Sequence, residues 1–413
     1  MPRIHVVGAG LAGLAAATRL AALGHDIVLH EASPQAGGRC RSYFDSELGC
    51  RIDNGNHLLL SGNHAALAYL ARIGAVATLD GPPMPLFDFC DLASGQRWTL
   101  APGPGRIPWW IFDRRRRVPG TAALDYLRAA MLARAGPDDA VPACLDIRSV
   151  LFRRLWQPFA VAALNTEIET ASAALLWRVM RESFGAGGAA LRPLVPHDGL
   201  TESFIDPALA FLARHGASIR FGSRLRAVTL DGERVAGLVF DDGPVALGAE
   251  DRIILAVPAP VASRLVPDIA APSAFRAIVN AHYRFAAPPG KPLFIGLIGG
   301  TAEWVFRKSG ILSVTVSAAD RLVDVSAEAL AALLWRDVAR AYDLGNAALP
   351  PWRIVKEKRA TFAATPAELR RRPAAQTRWR NLFLAGDWTA TGLPATIEGA
   401  IRSGETAGRL AGV

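Results

Sequence analysis

A chain of 413 residues, half of them hydrophobic and a fifth charged, is long enough for two domains, and its composition excludes a disordered or fibrous chain. The formal net charge of +9 directs it towards anionic partners: phosphate groups, lipid headgroups or nucleic acid. Cys40, Cys50, Cys90 and Cys144 are scattered without a C-x-x-C pair, which fits reduced thiols in a cytosolic protein. No apolar run reaches the length of a membrane span, so the mean hydropathy of +0.21 points to a large apolar interior, an apolar tunnel or a face that touches lipid.

The first predicted unit is "RIHVVGAGLAGLAAATRLAALGHDIVLHEA". Ile4, Val6 and Val7 form a buried strand, and Gly8, Gly10 and Gly13 supply a G-x-G-x-x-G turn. A helix starts at Leu11 and stops near Gly24, and a second strand delivers Glu31. Glycines let the backbone approach a pyrophosphate, the helix start around Ala12 offers free N–H groups, and an acid accepts the ribose hydroxyls. The unit predicts dinucleotide binding. Next, "ASPQAGGRCRS" places a bend at Gly37-Gly38 and sets Arg39 and Arg41 beside the expected phosphates.

That G-G-R-x-x-S run, just after the acid-bearing strand, resembles the flavin-binding amine oxidase and phytoene desaturase superfamily. The resemblance implies FAD as cofactor. It also implies an α/β fold: a Rossmann-type FAD-binding domain with an inserted β-meander, plus a mixed α+β substrate domain. The expected FAD-binding domain comprises 1–75, 197–259 and 379–413, and the substrate domain 76–196 and 260–378.

Further along, "DNGNHLLL" brings Gly55, Asn56 and His57, with Gly55 expected to let the backbone approach the flavin ring. His57 either donates a proton to a departing group or is a hydrogen-bonded histidine that fixes the loop. "IPWWIFDRRRRVPG" joins an apolar tip, Trp109 to Phe112, to Arg114–Arg117. It reads either as a peripheral docking site on the inner face of the cell membrane or as buried tryptophans beside a solvated basic loop. No recognition-helix, RNA-binding or zinc pattern accompanies the charge, so no nucleic-acid partner is expected.

The segment from Ser218 to Pro260 alternates as a β-meander with turns at Asp231-Gly232 and Asp242-Gly243. By resemblance, Leu225 holds the adenine through its main chain. "GLIGG" (Gly296–Gly300) lacks a following helix and acid and reads as a strand and turn, so no dedicated nicotinamide domain is expected. The histidines lack metal-ligand spacing, and no metal is implied.

"NLFLAGD" is a short strand ending at Gly386-Asp387, and "PATIEGAIRSG" opens a helix near Thr396. Asp387 is expected at the ribitol or phosphates, and the helix start at Thr396, Ile397 and Glu398 at the flavin pyrimidine ring. Gly399 and Gly404 are expected to pack under the ring system. Glu398 is a second candidate acid, with cofactor contact as its other role. Aliphatic Gly392-Leu393-Pro394 stands where amine oxidases carry an aromatic cage residue, which suits a polyprenyl chain better than a cation.

The phrases "DNGNHLLL", "WTLAPGPGRIPWWIF", "ALNTEIETASAA", "KEKRATFAATP" and "AGDWTATGLPATIEGA" together resemble the hydroxysqualene dehydroxylase family, over essentially the whole chain. The resemblance implies reductive removal of an allylic hydroxyl from a long isoprenoid. The other reading is a phytoene-type desaturase acting oxidatively. Neither identifies the electron donor.

Overall fold

The computed structural model describes residues 2–413. A parallel sheet of five strands runs in the order Ser218–Arg220, Asp26–His30, Arg3–Val7, Arg252–Leu255, Leu382–Leu384. Both faces of such a sheet are covered, which is why its inner strands read as unbroken apolar runs such as Ile253–Leu255. Gly24, with φ of +81°, breaks off the helix Leu11–Ala22 that follows the first strand.

The C-terminal helix Ile397–Ala411 lies directly on Leu11–Ala22. A Cβ at Gly404 would sit 2.1 Å from the Ala12 carbonyl oxygen, so only glycine lets the two backbones come this close. The expectation that Gly404 packs under a ring system is thereby corrected: it packs against a helix. Glu405 clamps the pair from the side, accepting from both Arg19 and Arg72.

The expected meander is divided. Leu225–Asp231, Arg234–Phe240 and Gly243–Ala246 form a separate antiparallel sheet, while the flanking strands Ser218–Arg220 and Arg252–Leu255 join the parallel one. The "GLIGG" segment is the end of a strand, Phe294–Ile298, followed by a left-handed Gly299.

A second sheet has seven strands, ordered Trp352–Phe362, Phe275–Tyr283, Ile311–Val316, Trp304–Lys308, Phe294–Ile298, Phe87–Asp91, Arg97–Leu100. Strand periodicity gives it two faces. Val279, Ala281, Tyr283, Leu312, Val314 and Val316 pack in one core with Leu330, Leu334, Trp335 and Val338 of the helix Ala327–Ala341. The alternate positions make the other face. Its aromatic half carries Phe89, Trp98, Phe294, Trp304 and Phe306, packed in one cluster with Trp110, Tyr126 and Trp156 of the short helices between residues 109 and 182. Gly296 leaves room for this cluster, because a Cβ there would meet the Phe89 ring at 2.6 Å. The polar half carries Asn280, His282, Ser313 and Thr315.

Among the described residues no helix is long and apolar enough to cross a membrane, no group of His, Cys, Asp and Glu could hold a metal, and the four cysteines are free.

Candidate functional site

The glycine turn is shaped by three different constraints. Gly8 has φ of +107°, and a Cβ on it would lie 2.5 Å from the Ala256 carbonyl oxygen. A Cβ on Gly13 would lie 1.9 Å from the Gly8 carbonyl oxygen, so Gly13 closes the turn on itself. Gly10 is the opposite case: it is extended, and nothing stands within 4 Å of where its Cβ would be. Beyond it, where Gly10 bridges Gly37, the N–H groups of Ala12 and Gly13 have no acceptor among the described residues, and Leu14 closes back onto Gly10. Gly37 and Gly38, both with positive φ, bound the same hollow, and the Gly37 N–H donates to the Ala9 carbonyl at 2.8 Å. A concavity walled by backbone, at a helix start with unpaired donors, fits a pyrophosphate.

Glu31 stands at its rim. One carboxylate oxygen accepts from the Ala9 N–H at 2.8 Å, and the other from the N–H and hydroxyl of Ser33, both at 2.9 Å. The Ser223 N–H donates to the Glu31 carbonyl at 2.9 Å, which brings the start of the strand Leu225–Asp231 beside the acid. The Leu225 side chain is buried.

The C-terminal stretch meets this region from the other side. Asp387 is buried and pairs with the Arg39 guanidinium at 2.7 Å, and Arg39 also donates to the Ala360 carbonyl. The structure therefore joins two of the expected cofactor residues to each other. Arg39 is turned to a carboxylate and does not stand free for phosphate. Gly386, with φ of +149°, makes the sharp turn before Asp387, and the Gly386 N–H donates to the Ser403 hydroxyl of the C-terminal helix.

Thr396 caps that helix, its hydroxyl accepting from the Gly399 N–H at 3.0 Å. The N–H groups of Ile397 and Glu398 remain without protein acceptors among the described residues. A Cβ on Gly399 would lie 2.8 Å from the Pro394 carbonyl oxygen, so this glycine, like Gly404, relieves a backbone contact. The Glu398 side chain points away from any open space. Its carboxylate accepts from Ala65 and Ala66 N–H at 3.1 and 2.8 Å and from Arg402 at 3.0 Å, capping the helix His64–Ile73. That geometry removes Glu398 as a candidate acid.

The loop 53–57 faces the polar half of the seven-stranded sheet. Asp53 is buried with Lys308 against one oxygen, while its other oxygen accepts from the Ser42 hydroxyl at 2.6 Å and the Leu200 N–H at 3.0 Å. Burial by itself would raise the Asp53 carboxyl, but the Lys308 ammonium together with the hydrogen bonds from Ser42 and Leu200 outweighs it and holds the group below the usual carboxylate range. A Cβ on Gly55 would lie 3.1 Å from the Asn280 amide nitrogen, so the space opened by this glycine holds an asparagine side chain. That corrects the expectation that it opens towards a ring.

From there a chain of hydrogen bonds runs in one direction. The Asn280 amide donates to the Asn54 carbonyl at 3.3 Å, and the Thr315 hydroxyl donates to Asn280 Oδ1 at 2.8 Å. Asn56 Nδ2 then donates to the Thr315 hydroxyl at 3.0 Å. Two polar atoms in this neighbourhood are buried without partners: Asn56 Oδ1 and Trp304 Nε1.

His57 makes no hydrogen bond to the described residues, so the loop is fixed by Asn280 and Thr315 and not by this imidazole. The ring lies deep yet keeps part of its surface open. Burial pushes its pKa down to about 4, with Asp53 opposing the shift and Lys308 and Arg39 reinforcing it. At neutral pH it is a neutral hydrogen-bond donor, not an imidazolium acid. Asn280, Thr315 and Lys308 belong to no motif. The signal of Asn280 and Thr315 in the sequence is the polar alternation inside otherwise apolar strands, "IVNAHY" and "ILSVTV", and Lys308 carries none.

The tryptophan–arginine segment divides as well. Trp109 and Phe112 are 69% and 63% exposed and adjoin exposed Ile107, whereas Trp110 and Ile111 are core. Arg116 donates to the Ala101 and Pro102 carbonyls and Arg117 to the Ile111 carbonyl, so these two brace the fold while Arg114 and Arg115 are exposed. Leu124, Leu127 and Met131, on the helical turns that follow, are exposed too.

The sequence pattern of the flavin containing amine oxidoreductases matches residues 11–410. A hydroxysqualene dehydroxylase of Rhodopseudomonas palustris is 50% identical over 408 residues, covering 98% of this chain and 97% of that protein. Another, from Sinorhizobium fredii, is 46% identical and covers 100% and 99%. A zeta-carotene desaturase of Synechocystis is 23% identical and covers 64% and 59%. Among solved structures, cyclohexylamine oxidase from Brevibacterium oxydans superposes with a TM-score of 0.72 at 14% identity, covering 100% of this chain and 98% of that one, a likeness of fold.

Proposed function

We propose that this chain, which belongs to the flavin containing amine oxidoreductase family and within it to the hydroxysqualene dehydroxylases, removes the allylic hydroxyl of hydroxysqualene to give squalene. The protein is an FAD-dependent oxidoreductase. The observation that carries the substrate reading is the identity of 50% along 98% of the chain, against 23% along 64% for the carotenoid desaturase.

Reduced FAD supplies a hydride to carbon, and everything else falls to the protein. In this reading Gly8, Gly10, Ala12 and Gly13 hold the pyrophosphate, Glu31 the ribose hydroxyls and Leu225 the adenine. Gly386, Asp387 and Arg39 form a braced wall beside the ribitol, and the free N–H groups of Ile397 and Glu398, set by the Thr396 cap, meet the pyrimidine end of the ring. Gly55 and Asn56 carry the loop that faces it from the substrate side. His57, neutral, offers an N–H to the departing oxygen rather than a full proton.

The division into an FAD-binding part (1–75, 197–259 and 379–413) and a substrate part (76–196 and 260–378) follows the same reading. Substrate is drawn from lipid at the outward patch of Ile107, Trp109, Phe112, Leu124, Leu127 and Met131, with Arg114 and Arg115 against anionic headgroups of the inner leaflet.

The test is an anaerobic single turnover. The bound flavin is reduced photochemically, hydroxysqualene is added in detergent, and flavin reoxidation is followed together with mass spectrometry of the lipid. Stoichiometric squalene is the expected product. A flavin that stays reduced with hydroxysqualene refutes the reading, and oxidised flavin bleached by phytoene would replace it with the desaturase.

A further inference from the structure

We propose that Thr315, with Asn280 and Trp304 on either side of it and Asn56 above, is the subsite that receives the hydroxyl of the substrate and releases it as water. This rests on the dehydroxylase reading. The register places the three sheet residues in one row: Thr315 is paired with Asn280 on one neighbouring strand and with Trp304 on the other. All three lie on the sheet face opposite the helix Ala327–Ala341, at the boundary between its polar and aromatic halves.

A polar row at the border of an aromatic cluster is costly unless something uses it, because each buried polar group gives up water. Asn280 and Thr315 compensate each other, but the row is left incomplete. Two buried atoms beside it have no partner: the donor Trp304 Nε1 at one end of the row and the acceptor Asn56 Oδ1 above its middle. A hydroxyl group is both donor and acceptor, and it is the single polar group of a hydroxylated hydrocarbon.

The direction of the hydrogen-bond chain adds a second argument. Because the Asn280 amide is anchored on the Asn54 carbonyl, Thr315 must donate to Asn280 Oδ1, and its own lone pairs face Asn56. The second N–H of the Asn56 amide is then left to donate to an oxygen lying beside Thr315. No carboxylate enters the chain, so nothing in it repels an oxygen that gains negative charge as its bond to carbon breaks.

The C–O bond breaks with its electron pair on oxygen, the oxygen takes one proton from solvent and leaves as water, and the hydride from reduced flavin takes its place on carbon.

The test compares three proteins, wild type, Thr315→Val and Thr315→Ser, on hydroxysqualene and on its allylic chloride, whose leaving group needs neither a proton nor a hydrogen bond. Binding of hydroxysqualene and of squalene to the oxidised holoenzyme is measured in parallel. The valine variant removes the acceptor that orients the Asn56 amide, so the second Asn56 N–H is no longer held on the departing oxygen; it is expected to lose about 100-fold in kcat/KM on the alcohol, the size of losing one donor at a developing oxyanion. It is expected to retain wild-type rates on the chloride and to lose the preference of the wild type for alcohol over hydrocarbon. Serine restores both. Equal losses on alcohol and chloride, or none on either, overturn the subsite. A wild type that prefers the alcohol through Thr315 yet never reduces it refutes the dehydroxylase reading and leaves the subsite standing. A wild type with neither preference nor turnover refutes both.

Discussion

Glu398→Gln separates a structural carboxylate from a catalytic one. In the wild type the carboxylate takes two backbone N–H groups at the start of the helix His64–Ile73 and one guanidinium hydrogen bond from Arg402. Each hydrogen bond to a charged group is worth about 1.5–3 kcal/mol, and a negative charge at a helix start adds about 0.3–1 kcal/mol. The glutamine keeps one acceptor oxygen, but its amide NH2 must face either an N–H of the helix or Arg402, which still holds Glu182.

Losing one charged bond and the helix term gives about 3 kcal/mol of destabilisation. At about 2.1 cal/mol/K per residue the unfolding entropy of a chain this long is about 0.9 kcal/mol/K, so Tm should fall by about 3 °C. The assay is differential scanning calorimetry at saturating FAD, with turnover per bound flavin measured on the same samples. Turnover should change less than twofold. An unchanged Tm with turnover abolished would refute the capping role and restore Glu398 as an acid.

Gly10→Ala and Gly13→Ala should fail differently. The first meets open space and should fold with a near-normal circular dichroism melt but a much lower ratio of flavin to protein absorbance, while the second meets the Gly8 carbonyl at 1.9 Å and should be recovered poorly or melt well below wild type. Full flavin occupancy in Gly10→Ala would mean that the hollow is not the pyrophosphate site. Stability should also depend on pH: burial holds His30, His57 and His282 at about 4, below their ordinary 6.5, so the unfolded chain takes up protons that the folded one refuses. Their contribution is complete above pH 6.5 and drains as pH falls towards 4, at up to about 1.4 kcal/mol per pH unit each. Tm measured from pH 7.5 to 4.5 should drop below 6.5, more gently in His282→Gln, and a flat profile would contradict the burial. In co-sedimentation with anionic liposomes, Trp109→Ser with Phe112→Ser should release the protein, and Arg114→Ser with Arg115→Ser should weaken binding by about 1 kcal/mol per arginine. Wild-type sedimentation in both would remove membrane docking.

Local pattern made one half of the architecture readable. The unit from Ile4 to Glu31 is contiguous, so its strand, turn, helix and acid are fixed by neighbours in the chain, and the structure differs only in helix ends. Contacts made across the chain were less legible. Arg39 was expected at phosphates because its neighbours are glycines, but its partner, Asp387, is 348 residues away. Trp109 and Trp110 are adjacent and chemically alike, and tertiary packing, with Tyr126 edge-on against Trp110, makes the second one core. Gly55 announces a close approach without saying to what, and the answer, Asn280, lies on a strand with no motif. The row of Asn280, Thr315 and Trp304 exists only through strand register, which alternation hints at but does not specify.

Arg19 and Glu405 are 386 residues apart in the chain, yet their helices form one wall of the glycine turn. On a ribosome adding about 5–20 residues per second, the first helix therefore waits roughly 20–80 s for the last. During that interval the apolar face of Leu11–Ala22 that will receive Gly404 is uncovered, and the hollow beside Gly10 lacks part of its support. A chain terminated before the last helix would keep the glycine turn and Glu31 but lose the Gly404 contact behind the turn and the N–H groups of Ile397 and Glu398, so it should hold the nucleotide less well than the full chain.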